Sequence, residues 1–107
     1  MPRPKMPRCV SAYPTMAAFV PSGMPITGEV SMTIEELEAI RLSDFEHLDQ
    51  ETAATLMEVS RHTFGRVLSN ARSIIAEALI TGKALKIGGG VYELRGMGRR
   101  RRRRGGV

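Results

Sequence analysis

The middle of the chain repeats apolar residues at intervals of three and four positions, which is the spacing of one helical face. The first run begins at Ile34, directly after Thr33. Thr33 and Glu36 have the spacing of a capping box, in which each side chain bonds the backbone N–H of the other residue. The pattern therefore predicts a helix from about Ile34 to Glu46, with Leu42 and Phe45 adjoining its buried face.

Two further helices are predicted close behind the first. Asp49 can cap a short helix over Gln50–Met57, and Ser60 can cap a longer one over Arg61–Thr81. Gly82 follows as a natural C-terminal stop. The apolar face of the third helix is expected to comprise Phe64, Val67, Leu68, Ala71, Ile74, Ile75, Ala78 and Leu79.

The flanks of this helical region differ from it in composition. Residues 1–28 hold all six prolines and predict an extended N-terminal arm, and a short strand is predicted near Glu29–Met32. Two β-prone pieces flank the glycines at 88–90, which favours either a small C-terminal β-hairpin or a glycine-rich loop. The predicted fold is mainly α: a three-helix core in a domain of residues 29–94, followed by a disordered Gly/Arg-rich tail over 95–107.

Composition narrows the class of protein. The 107 residues, 42% of them hydrophobic and none of them Trp, predict one small domain with an aliphatic core. No apolar run approaches the roughly 20 residues that span a bilayer. A secretory signal requires an apolar segment after a basic start, and no such segment follows the basic start of this chain. The single Cys9 excludes an internal disulfide and is interpreted as an ordinary, partly buried thiol. We expect a cytoplasmic protein without membrane contact.

The net charge of +5 conceals a strong asymmetry along the chain. Residues 29–60 carry nine acidic side chains against the single base Arg41, whereas residues 61–107 carry twelve bases against Glu77 and Glu93. The sign changes where the third predicted helix begins. A basic surface attracts phosphates, and an acidic one faces away from them or towards another protein.

The second and third predicted helices have the layout of a helix-turn-helix, which places one helix in the DNA major groove. Ala53 and Ala54 allow the helices to approach closely, and Met57 and Phe64 fill the space between them. The side of the third helix that faces away from this contact carries Arg61, His62, Thr63, Gly65, Arg66, Ser69 and Asn70.

These residue types suit a groove. Arg contacts guanine with two hydrogen bonds, Asn suits adenine, and Ser and Thr suit a phosphate or a base edge. The helix N-terminus near Ser60 also favours a phosphate. Amphipathic helix pairs with a polar outer face also occur in proteins that do not bind DNA, so the charge step is what favours this interpretation. The predicted DNA-binding residues are Ser60, Arg61, His62, Thr63, Arg66 and Asn70.

The C-terminal tail contains a run of six arginines, which would strengthen a nucleic-acid complex by releasing counterions. The same run would equally suit RNA, a membrane surface or an acidic partner, and a solvated tail without function is a further alternative. The run predicted to make nonspecific phosphate contacts is Arg99, Arg100, Arg101, Arg102, Arg103 and Arg104. No catalytic motif, phosphate loop or metal-ligand spacing is visible, so we expect no enzyme activity, no cofactor and no metal site.

The string QETAATLMEVSRHTFGRVL resembles the helix-turn-helix of region four of bacterial sigma factors. Together with MPRPK, MTIEELEAIRLSD and GKALKIGGG, it also resembles a family of uncharacterised prokaryotic proteins predicted to bind DNA, over about residues 1–94. The resemblance implies that Arg61, His62 and Arg66 reach base edges, with Thr63 and Asn70 nearer the backbone. Some relatives are joined to, or resemble, domains of the iron-molybdenum cofactor assembly type.

The turn between the second and third helices departs from the usual pattern. The position before Val59 is usually Gly, because a left-handed backbone is easiest there, but this chain has Glu58. Either the turn carries strain of about 1 kcal/mol, or its geometry differs. In both cases Glu58 brings a negative charge near the predicted DNA side.

Two functions are consistent with the sequence. The first is a transcriptional regulator that reads double-stranded DNA through the helix starting at Arg61, alone or as a homodimer on two half-sites. The alternative is a protein-interaction module that docks its acidic residues 29–60 on a polymerase or a metal-cofactor-assembly partner, with nonspecific nucleic-acid binding through its tail.

Overall fold

The computed structural model of the protein describes residues 8–11, 18–89 and 92–94. In these residues three α-helices and a small three-stranded sheet give a mixed fold. The prediction of three helices is confirmed, whereas the prediction of a mainly α protein is too narrow, because it leaves out the sheet. Along the chain the elements are β1 (Arg8–Val10), β2 (Ala18–Phe19), β3 (Glu29–Met32), α1 (Ile34–Ile40), a π-helical segment (Arg41–Phe45), α2 (Gln50–Met57), α3 (Arg61–Thr81), β4 (Ala84–Ile87) and β5 (Tyr92–Leu94).

The strands pair over long sequence distances. In the three-stranded sheet β4 is central, antiparallel to β2 and parallel to β3, while β1 and β5 form a separate parallel pair. The predicted C-terminal hairpin is therefore wrong, because β4 and β5 do not pair with each other. The backbone N–H of Gly88 donates to Met32 and the carbonyl of Gly89 accepts from Ile34, so both glycines continue along β3 and the start of α1. Both β4 and β5 pair with strands from the predicted N-terminal arm.

Local side-chain caps fix the predicted helix ends. Thr33 and Glu36 form the predicted capping box of α1, and Ser60 caps α3. At the start of α2, the backbone N–H of Thr52 donates to the Asp49 carboxylate at 2.8 Å and holds the pKa of Asp49 below its ordinary value. The structure has α2 and α3 with the predicted bounds, so this prediction is confirmed. The bounds could be predicted because each limit is set by a local hydrogen bond or turn.

The first predicted helix changes geometry halfway. Instead of an α-helix to Glu46, the chain forms π-helical turns over Arg41–Phe45, closed by the Glu46 N–H on the Arg41 carbonyl at 2.8 Å. The wider turn keeps Leu42 in the core but rotates Phe45 out, leaving it 75% exposed. The expectation that Phe45 adjoins the buried face is therefore wrong.

The described residues form two apolar clusters. One joins α1, the π-helical segment, α2 and α3; the other joins α1 and α3 to the strands. Leu79 is an exception to the predicted apolar face of α3: it is 77% exposed, because no residue in the described ranges covers it. The first cluster comprises Ala39, Leu42, Ala53, Ala54, Met57, Phe64 and Leu68, and the second Val10, Met32, Ile34, Ala71 and Ile87.

A buried carboxylate ties the first strand to α1. Both oxygens of Glu38 accept hydrogen bonds from the Arg41 guanidinium, at 2.9 and 3.0 Å, and both accept from Ser11, through its N–H and its hydroxyl at 3.2 Å. The hydrogen bonds that Arg41 donates to the Glu38 carboxylate raise the pKa of Arg41. This network holds the end of β1 against α1.

Candidate nucleic-acid interface

Helices α2 and α3 pack closely through small and apolar side chains. Ala53, Ala54 and Met57 on α2 are buried against Phe64 and Leu68 on α3, in one continuous cluster. Alanine at the contact lets the two helix backbones approach, and Phe64 fills the volume that remains. The inner face of the N-terminal part of α3 is thus occupied by α2, which leaves the opposite face of that part to solvent.

A tight left-handed turn sets the direction of α3. Glu58 has φ 60° and ψ 43°, and its N–H donates to the Thr55 carbonyl at 3.1 Å. The next N–H, of Val59, donates to the Ala54 carbonyl at 3.0 Å, which completes a Schellman motif. The turn therefore has the left-handed geometry that usually requires Gly, and the alternative of a different geometry is excluded.

The outer face of α3 brings three of the predicted residues together. Arg61, His62 and Arg66 are exposed and line one open hollow of about 550 Å³. We call the six residues that line this hollow the α3 surface: Gln50, Arg61, His62, Gly65, Arg66 and Ser69.

The two arginines of the α3 surface have no acidic partner in the described ranges. Neither Arg61 nor Arg66 forms an ion pair there, whereas Arg72, further along the helix, binds both oxygens of Asp44 at 2.7 and 3.2 Å. The hydrogen bond from Arg72 lowers the pKa of Asp44, and the same bond raises the pKa of Arg72. The positive charges available to an anionic ligand on α3 are thus at its N-terminal end.

The remaining predicted residues have structural partners. The Ser60 hydroxyl caps the helix by accepting from the Thr63 N–H, and it donates to the Thr63 hydroxyl, both at 3.0 Å. Asn70 points away from the hollow towards α1, where its amide donates to Glu36 at 3.2 Å. Arg66 therefore lies between two surfaces, since it also lines a neighbouring polar hollow with Asn70 and Glu36.

Gln50 is a site residue that the sequence analysis did not identify. It is the first residue of α2, and its side-chain oxygen lies 3.5 Å from where a Cβ on Gly65 would be. Gly65 therefore faces the start of α2 as well as solvent, and that approach brings the Gln50 amide into the hollow. The signal available in the sequence was its position directly after the Asp49 cap.

The other candidate features add little to this surface. Arg99–Arg104 lie outside the described residues, and Cys9 is a buried free thiol. Among the residues the structure describes, no three His, Cys, Asp or Glu side chains are grouped to hold a metal ion. Within the same ranges, no helix combines the length and apolar character needed to cross a bilayer.

Comparison with known proteins identifies the family to which this chain belongs. The family model described as "Protein of unknown function DUF134" matches residues 1–95, and the chain belongs to this family. A UPF0251 protein of Caldanaerobacter subterraneus subsp. tengcongensis is 47% identical to it, over 98% of this chain and 95% of the relative. A UPF0251 protein of Halothermothrix orenii is 53% identical, over 88% and 71%. No solved structure gives a significant match.

Proposed function

We propose that this protein binds double-stranded DNA and regulates transcription, with α2 and α3 acting as a helix-turn-helix of the sigma region-four type. The observation that carries the proposal is the α3 surface. Arg61, His62 and Arg66 are exposed around one hollow, on the outer face of a helix whose inner face is packed against α2. A helix supported in this way can enter a major groove with its N-terminal residues foremost.

The side chains of the α3 surface match the donors and acceptors of base edges. Arg61 and Arg66 can each donate two hydrogen bonds to guanine, and the Gln50 amide can pair with adenine. Neither arginine has to leave an acidic partner in the described ranges before it binds. Ser60 and Thr63 serve this function by fixing the start of α3.

The direct test is selection of binding sites from a random duplex pool at a stated salt concentration, followed by affinity measurements on the selected duplex. Arg61→Ala and Arg66→Ala should each weaken specific binding by about 1–3 kcal/mol. Lys86→Ala is the matched control, because it removes one exposed positive charge from β4, outside the α3 surface. It should change the affinity by less than about 0.5 kcal/mol.

Results that contradict the proposal are equally clear. If no sequence is enriched, or if both arginine variants bind the selected duplex like the parent, the α3 surface does not read DNA. Circular dichroism spectra of both variants should match the parent, since the side chains are exposed.

The arginine run can be tested separately in the full-length chain. Replacing Arg99–Arg104 with Gln should weaken binding to all duplexes alike and reduce the dependence of affinity on salt, while the selected sequence stays the same. This result would assign the tail to phosphate contact and place the sequence preference outside the tail.

The second candidate function is a protein-interaction module. The observation that favours it is Phe45, which is 75% exposed within the acidic residues 29–60, because aromatic residues are enriched at protein–protein interfaces. In that case replacing Arg99–Arg104 with Gln should abolish DNA binding altogether, and Arg61→Ala should leave the DNA affinity unchanged.

A further inference from the structure

A cleft between the C-terminal half of α3, the strands and the segment after β2 runs into the apolar core. Its volume is about 440 Å³. The exposure of the lining residues shows which of them stand at the mouth and which at the floor. Val20, Met24 and Leu79 are more than half exposed, whereas Met32 and Ile87 are only 1% and 9% exposed. The feature is therefore a pocket with depth and not a flat apolar face.

Small residues on α3 leave this space open. The helix end lines the cleft with four residues at the three-and-four spacing of one helical face: Ile75, Ala78, Leu79 and Gly82. Ala78 contributes one methyl group and Gly82 no side chain, so α3 does not fill the gap between this face and the strands. The Met24 methyl lies 3.0 Å from where a Cβ on Gly82 would be. Because a methionine side chain is flexible, this wall can adjust to the shape of a ligand.

We propose that the cleft is a binding site for a small, uncharged, apolar molecule. A volume of about 440 Å³ lies within the range of about 300–1,000 Å³ that is typical of small-molecule sites. It is also about three times the roughly 150 Å³ of an apolar cavity that takes up benzene, so a molecule of two rings with short substituents fits. The surface of a second protein would cover the mouth and leave the floor empty, whereas a small molecule reaches both.

The charges at the cleft favour an uncharged ligand. Among the described residues that line it, the one with a formal charge is Lys83, whose ammonium group donates to the Glu77 carboxylate at 2.6 Å. The other lining residues have apolar side chains or none. An anionic ligand would have to replace the Glu77 carboxylate, and a cationic one would meet the Lys83 ammonium. A neutral molecule leaves the ion pair intact, and burial of its apolar surface drives it into the cleft.

The site is separate from the α3 surface. Leu79 is 18 residues after Arg61 on the same helix, which corresponds to about 27 Å at 1.5 Å per residue. A molecule in the cleft therefore leaves Arg61 exposed. Its binding does not depend on whether the protein binds DNA, and it is tested without DNA, so the failure of one proposal leaves the other standing.

The test titrates the full-length protein with prodan, an uncharged naphthalene dye whose emission shifts to the blue in apolar surroundings. The signal should saturate at one dye per chain, with a dissociation constant below about 100 µM. Leu79→Ala should raise this constant about threefold to tenfold, because it removes apolar surface from the mouth. Ile80→Ala is the matched control: Ile80 is similarly exposed but does not line the cleft, so the constant should stay within about twofold of the parent.

A substitution that fills the cleft separates binding from folding. Ala78→Leu enlarges a side chain that borders the empty space, so dye binding should weaken about tenfold or more. Urea unfolding should show a stability equal to or above that of the parent, because cavity-filling substitutions commonly stabilise a protein. A marked loss of stability would mean that no open space adjoins Ala78, which would contradict the proposal.

Competition tests the predicted absence of charge on the ligand. 1-Naphthol and 1-naphthoate have the same rings, but at about pH 7 only the second is an anion. The neutral compound should displace the dye at a concentration about tenfold lower, because the anion would carry its charge into apolar surroundings. Stronger displacement by 1-naphthoate would exclude an uncharged ligand as the preferred occupant.

Further outcomes overturn the proposal. Emission that never saturates, or equal weakening by Leu79→Ala and Ile80→Ala, would indicate nonspecific adsorption of the dye to apolar surface. Dye binding to Ala78→Leu with the affinity of the parent would place the dye outside the cleft. If dye binding fell as the protein concentration rose, and sedimentation gave twice the 11.8 kDa of one chain, the occupant would be a second copy of the protein.

Discussion

The left-handed turn at Glu58 allows the stability of variants at this position to be predicted numerically. A residue with a side chain in this conformation carries strain of about 1–2 kcal/mol, which glycine avoids. Glycine loses about 0.5–1 kcal/mol in return, because its unfolded chain has more freedom. With φ at 60° and the Schellman hydrogen bonds in place, Glu58→Gly should be more stable than Glu58→Ala by about 0.5–1 kcal/mol.

The comparison of Gly with Ala isolates the backbone. Both variants lose the same carboxylate and any contact it makes, so only the conformational preference differs between them. Urea unfolding followed by circular dichroism should give equal slopes and a higher midpoint for Glu58→Gly, and thermal unfolding should differ by about 2–8 °C. If Glu58→Ala were as stable as Glu58→Gly, the turn would not be left-handed, and the packing of α2 on α3 would need revision.

Two further predictions concern the helix end and an ion pair. Gly82→Ala should destabilise the protein by about 1–2 kcal/mol, because φ is +75° and the new Cβ lies 3.0 Å from the Met24 methyl. Gly23→Ala should cost less, because Gly23 has φ +78° but open space around it. Denaturant unfolding measures both losses, and the opposite order would contradict this reasoning. Arg72 lowers the pKa of Asp44, so this carboxylate stabilises the fold above its unfolded-state pKa, and the contribution disappears as the pH falls through the folded-state pKa. Between about pH 5 and about pH 3 the parent should therefore lose more unfolding free energy than Asp44→Asn, and an equal loss would exclude this role for the pair.

Local signals made the helices predictable. The bounds of α2 and α3 follow from Asp49, Ser60 and Gly82, each of which acts on its own neighbours through a cap or a positive φ. The change to π geometry after Ile40 was not predictable, because apolar periodicity does not show one residue added to a turn. Phe45 was misplaced for that reason.

The sheet could not be derived in the same way. Parallel pairing of β3 with β4 joins residues 29–32 to residues 84–87, across the whole helical region, and no local pattern encodes that partner. The hairpin expectation used only the glycines between β4 and β5. Gly88 and Gly89 instead bond the backbone of Met32 and Ile34, along β3 and the start of α1.

The candidate site was predicted in part. Arg61, His62 and Arg66 were identified because helical spacing alone puts them opposite the apolar face, and the structure places them around one hollow. Gln50 was missed because its contribution depends on how α2 crosses α3. Asn70 was included from its residue type, but its side chain is held by Glu36.

The most direct test of the central claim is an NMR titration of the full-length, ¹⁵N-labelled protein with its selected duplex. If α3 enters the groove, the amide signals that shift most should belong to the exposed start of that helix, around Arg61, His62, Gly65 and Arg66. Shifts confined to Arg99–Arg104, with the α3 signals unchanged at saturation, would contradict the assignment of DNA reading to this helix.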